Sequence, residues 1–122
     1  MSRFIYYNAN PDKETISDCV LRAISLATEL PYPTIRRKLY HSAKLFDCSS
    51  LNVDCYCHLL EDVFQFPRVN CEGFTVEEFA DTYPYGVYLV RMDSHISTVW
   101  NNDVVDIWDC RDCEITHAWK VL

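Results

Sequence analysis

Between Cys19 and Leu30 the chain sets Val20, Leu21, Ala23, Ile24, Leu26, Ala27 and Leu30 around a helical wheel, interrupted only by Arg22, Ser25, Thr28 and Glu29. A helix apolar nearly all round has no face to give to water, so the remaining chain must be arranged to sheath it. Ser17 and Asp18 are preferred N-cap residues, which starts the first turn at or beside Cys19. A thiol there meets unpaired backbone N–H groups and the positive end of the helix dipole. Thiol pKa values at such sites fall from about 8.5 to roughly 3.5–7.5. Free cysteine is also among the most buried residue types, so Cys19 reads equally well as part of the core.

The rest of the chain supplies the sheath. Its 122 residues form one domain, 1–122, long enough for a core without staples. An apolar content of 49% with only two glycines argues for a globule and against disorder or low complexity. The N-terminus lacks the apolar run of a signal peptide, and no segment approaches membrane-spanning length. A soluble, cytoplasmic protein without a membrane partner is expected. The net charge of −7 argues against a nucleic-acid partner, because neutralising phosphates takes clustered Lys and Arg. Arg36-Arg37-Lys38, with Lys44 following, is the one basic cluster, and it reads as the solvated face of a helix. Seven cysteines cannot all pair internally; reduced thiols, a metal site or a catalytic thiol are expected ahead of a disulfide framework.

Taken in order, β-prone residues 3–7 lead into the turn-rich stretch Asn8-Ala9-Asn10-Pro11-Asp12, and then into the Cys19 helix, which Pro31 stops after Leu30. A second helix is predicted over 33–46, with Ile35, Leu39 and Ala43 on one face. A third, over 52–64, is capped by Asn52 and turns Val53, Cys57, Leu60 and Val63 inward. Thr75 followed by Glu78 is a capping box opening a short fourth helix. At Gly86 the period changes from helix to strand: Val87–Arg91, His95–Trp100, a turn at 101–103, Val104–Trp108, and Glu114–Val121. Helices first and an antiparallel sheet second define an α+β class.

A cysteine nucleophile needs a base within hydrogen-bond reach and a group to orient that base. Of His41, His58, His95 and His117, the first two lie on predicted surface helices and the last near the C-terminus. His95 opens a hairpin whose second strand brings Asp106 back to the same end. A carboxylate there would hold the imidazole's tautomer and stabilise its charged form. Asp109, at the end of that strand, is the second choice.

The order of these pieces resembles the papain-like cysteine peptidase superfamily: a buried helix opening Asp-Cys, a helical middle, Gly86-Val87-Tyr88-Leu89-Val90, a histidine on one strand and an aspartate on the next. More narrowly, Asp18-Cys19-Val20-Leu21-Arg22-Ala23 and His95 with Asp106-Ile107-Trp108-Asp109 are similar to small phage-encoded papain-like domains, and also to bacteriocin-processing peptidases. The resemblance implies a papain-like fold: an N-terminal buried helix carrying the cysteine, further helices, then a C-terminal antiparallel sheet. It implies Cys19 as nucleophile, His95 as base and then acid, Asp106 as orienter, and a protein or peptide substrate in a phage-infected host cytoplasm. No cofactor is implied. The oxyanion donors would be the Cys19 N–H and a side-chain amide. The related peptidases carry a glutamine shortly before the cysteine, where this chain has Lys13, and Asn8, with Asn10 behind it, is the nearest substitute.

Two other classes stand beside the hydrolase. One is a catalytically inactive papain-like module that binds or inhibits a host protein through its acidic surface. The other is a zinc-stabilised protein using Cys110, Cys113 and His117, whose spacing suits zinc but which needs a fourth ligand from Cys48, Cys55, Cys57 or Cys71. The first-choice reading places no metal. Substrate identity and oligomeric state are not written in the sequence.

Overall fold

A computed structural model describes residues 2–122. The elements run β1 (Arg3–Tyr6), α1 (Cys19–Thr28), α2 (Tyr32–Phe46), α3 (Val53–His58) continuing into a π-helical turn (Leu59–Val63), α4 (Val76–Thr82), β2 (Val87–Met92), β3 (His95–Trp100), β4 (Asp103–Asp106) and β5 (Ile115–Lys120). The class is α+β. The sheet has five strands in the order β1-β4-β3-β2-β5. It is not wholly antiparallel as expected, because β1 joins its edge parallel to β4, Phe4 opposite Val104.

Helix α1 lies on one face of this sheet, with Ile24 and Ala27 fully buried against Leu89, Ile96 and Trp119. Thr98 Oγ1 donates to Ala23 O at 2.9 Å and ties β3 to the helix backbone. Helices α2 and α3 complete the sheath through Ile35, Leu39, Tyr56, Leu59 and Leu60. On the opposite face α4 packs Val76, Phe79 and Ala80 against Val90, Val99 and Ala118. The sheet is therefore buried on both sides, which explains why β2 reads as a continuous apolar run rather than an alternation.

Several local expectations shift. Helix α1 ends at Thr28, two residues before Leu30, because Glu29 turns left-handed at φ 59° and closes the helix. Asp18 makes no side-chain capping bond to α1. Val63 is exposed rather than inward, since the π turn rotates the end of the third helix. The Thr75–Glu78 capping box forms with both bonds present. Cys48 and Cys55 form a disulfide, against the expectation of reduced thiols, leaving Cys19, Cys57, Cys71, Cys110 and Cys113 free.

The β3–β4 turn decides the most. Asn101 and Asn102 both have positive φ, 46° and 72°, so the loop is a two-residue turn and Trp100 pairs with Asp103. Continuing that register sets Asp106 across from Ser97, on the face His95 shares. A three-residue turn over 101–103 would have placed Asp106 opposite Thr98, on the other face.

Candidate active site

Three elements converge at one end of the sheet: the first residue of α1, the first of β3 and the last of β4. Cys19, partly buried, heads α1, where its N–H has no intrahelical acceptor. Its thiol meets the His95 side chain and the Ile96 backbone. Burial pushes the thiol up. The hydrogen bonds from His95 and Ile96, with the positive charges of His95 and Arg22, outweigh burial and hold it below its ordinary value.

His95 spans from the thiol to the carboxylate. Its Nε2 lies 2.7 Å from Asp106 Oδ2. Burial pulls the imidazole down, but its bonds to Asp106, Cys110 and Cys19 carry it up to about 11, so it is an imidazolium at neutral pH. The indole of Trp108 meets the ring edge-on at 5.0 Å. Asp106 is itself fully engaged. Oδ2 also accepts from Ser97 Oγ at 2.7 Å, and Oδ1 accepts from Ile107 N at 2.7 Å. Burial pushes this carboxyl up, and the imidazolium with these donors brings it below the usual carboxylate range. Asp109, the second choice, is instead exposed and paired with Arg111 at 2.8 Å, so it takes no part here.

A second set of charges lies beneath. The buried Arg22 guanidinium has Nε 2.8 Å from Asp18 Oδ1 and one terminal nitrogen 3.9 Å from Asp106 Oδ1. Asp18 Oδ2 accepts from Asn10 Nδ2 at 2.9 Å and from Tyr32 Oη at 2.7 Å. Burial and this bond to Asp18 push the Tyr32 phenol up to about 12, which keeps it a donor. Asp18 thus anchors Arg22 one turn along instead of capping the helix. Arg22 and His95 face Asp18, Asp106 and the Cys19 thiol, and a buried charge cluster persists only when its members neutralise one another.

Asn8 is buried, but its amide is spent on the loop before α1: Nδ2 donates to Glu14 O at 2.9 Å and Oδ1 accepts from Asn10 N at 3.0 Å. Asn8 is thus held within the loop, with one of its two amide hydrogens committed there. Asn10 is likewise committed, to Asp18 and to Asp12 N. The predicted Cys110, Cys113 and His117 set does not assemble. Cys113 N donates to Cys110 O in a turn, and His117 sits on β5 opposite Arg91. Among the described residues the metal-competent set is His95, Asp106 and Cys110, whose donor atoms lie within 4.8 Å of one another. His95 Nε2 and Asp106 Oδ2 already share a hydrogen bond at 2.7 Å, which a cation would have to displace.

Sequence reasoning gave Arg22 and Ser97 no role at the site and considered Cys110 only as a zinc ligand. For Arg22 the signal was present: an aspartate four residues before an arginine on an otherwise apolar helix is an i,i+4 pair. Cys110 offered none, since only the chain's return past β4 brings it to His95. Trp108, Tyr56 and Tyr7 are aromatic residues beside the site. Comparison with known protein families, curated proteins and solved structures finds no match to this chain.

Proposed function

We propose that the chain is a thiol-dependent acyl hydrolase, a cysteine peptidase or isopeptidase of papain-like type. The observation that carries this reading is the single imidazole of His95 in contact with Cys19 on one side and bonded to Asp106 at 2.7 Å on the other. Cys19 attacks a carbonyl carbon, and the oxygen's developing charge faces the Cys19 N–H and the head of α1. His95, already an imidazolium, gives its proton to the leaving amine as the thioester forms. It then takes a proton from water as the hydroxide attacks the thioester, the C–S bond breaks, the acid is released and the thiolate–imidazolium pair is restored. Asp106 keeps the ring oriented and its positive charge stabilised. The sequence resemblance supports a phage source and a protein substrate in a bacterial cytoplasm.

One observation favours the alternative, an inactive module that binds a host protein: the amides of Asn8 and Asn10 are each held by a bond within the segment before α1, to Glu14 O and to Asp18. The two readings part on the nucleophilicity of Cys19. Iodoacetamide alkylation, mapped thiol by thiol against pH in wild type and His95→Ala, measures it. A Cys19 that outpaces the four other free thiols at neutral pH, and slows in the variant, supports the hydrolase. A Cys19 that reacts no faster than they do, or ignores His95, leaves the binding module.

A further inference from the structure

On the helix face of the sheet a cleft of about 110 Å³ adjoins Cys19 and His95 and is also lined by Tyr56 and Arg91. Its remaining lining is apolar or hydroxylic, with no carboxylate. Arg91 reaches it from β2, where it pairs with Ile96, the residue whose backbone also meets the Cys19 thiol. Its guanidinium has neutral partners only. One terminal nitrogen donates to Thr116 Oγ1 at 2.9 Å, the side chain also bonds the Tyr56 hydroxyl, and the buried Nε has no partner among the described residues. Arg3, Arg22, Arg68 and Arg111 each pair with a carboxylate. Arg91, half-withdrawn from water, pairs with none among the described residues. The chain carries 18 acidic residues against 11 basic ones, so leaving a half-buried guanidinium without a counter-charge is a cost that a bound anion would relieve.

We propose that this cleft is a carboxylate-binding subsite, with Arg91 as its anchor, so that the substrate presents an anionic group beside the bond that Cys19 attacks. The inference rests on the thiolate reading of Cys19 given above. A guanidinium offers a planar fork of N–H donors that matches a carboxylate's two oxygens. Burial pushes the Tyr56 phenol up to about 12 against the pull of Arg91, so its hydroxyl stays a neutral donor at the same wall. An Asp or Glu side chain and a chain terminus present the same carboxylate chemistry, and the test below tells the two sources apart.

Iodoacetate and iodoacetamide test this without a known substrate. Both alkylate by forming an S–C bond as iodide leaves; they differ in a carboxylate against a neutral amide. The quantity read is the ratio of the two rates at Cys19, normalised within each protein. Arg91→Met is expected to lower that ratio by about 10-fold relative to wild type, the effect of one nearby charge partly screened by water. Arg91→Lys, which keeps the charge, is expected to restore most of it. Should Arg91→Met not fold, wild type still decides: N-acetyl-aspartic acid α-amide (a side-chain carboxylate) or N-acetylglycine (a terminal one) should slow iodoacetamide at Cys19, and the more protective names the source. A ratio unchanged in Arg91→Met, or protection by neither compound, overturns the subsite while leaving the thiolate intact. A Cys19 slow towards both reagents overturns the thiolate reading and this inference with it.

Discussion

Replacing Asp106 with asparagine keeps the shape of the side chain and removes its charge. In the wild type, Oδ2 accepts from both His95 Nε2 and Ser97 Oγ, and an amide cannot reproduce that double acceptance alongside the bond from Ile107 N. Without the carboxylate, burial, the largest influence on His95, dominates and pulls the imidazole down from about 11. The bonds to Cys110 and Cys19 still raise it, so the ring is protonated less readily and Cys19 loses part of its neighbouring charge. Burial is also the largest influence on the thiol, and it acts upward. Two unit charges about 4 Å apart at an effective dielectric of about 20 interact by about 4 kcal/mol, roughly three decades in an equilibrium constant. With one side of the thiol open to water, a loss of about 10- to 100-fold in Cys19 thiolate at pH 7 is the expected scale. Iodoacetamide rates at Cys19 from pH 5 to pH 10 should show the acid limb displaced upward in Asp106→Asn. Near-UV circular dichroism reports whether the fold is retained. A folded Asp106→Asn whose acid limb coincides with wild type would refute the argument that Asp106 sustains the thiolate through His95.

Asp109→Asn should leave the Cys19 alkylation profile within about 2-fold of wild type, because its partner is an exposed Arg111 pair; a loss like that of Asp106→Asn would move the third role to Asp109. Ile24→Ala, at a fully buried position between α1 and the sheet, should cost about 2–5 kcal/mol in urea unfolding. The raised His95 contributes stability that is complete below its ordinary 6.5 and lost as pH rises to about 11. The lowered Cys19 contributes stability present above its ordinary 9.0 and lost as pH falls, so the two trends offset one another below pH 9. A net fall in the urea midpoint is therefore expected from pH 9 to pH 11, shallower in His95→Gln. In denaturant without reductant, five thiols should react with a disulfide reagent, since Cys48 and Cys55 are paired.

Local chemistry alone determined a good deal of this protein. An apolar helix beginning at Cys19, the Thr75–Glu78 box and the change of period at Gly86 all depend on neighbours within one or two turns, and each forms where the residues place it. At Gly86, φ is +101° and a Cβ would sit 2.5 Å from Leu122 O, so glycine marks the change for a steric reason. Cys19, His95 and Asp106 could be singled out because a nucleophile, a base and an orienter each had a place at the end of an element. Only the tertiary structure decided how they meet. Whether Asp106 shares the face of His95 hangs on two asparagines adopting positive φ rather than on a three-residue loop. Whether Asp18 caps a helix or holds Arg22 depends on Asp106 arriving from the far end of the chain to leave a buried guanidinium between two carboxylates. The parallel pairing of β1, the disulfide and the engagement of Asn8 are of the same kind. Periods and caps are short-range and legible in a sequence. Strand register and the neutralisation of buried charge are set by groups that only folding brings together.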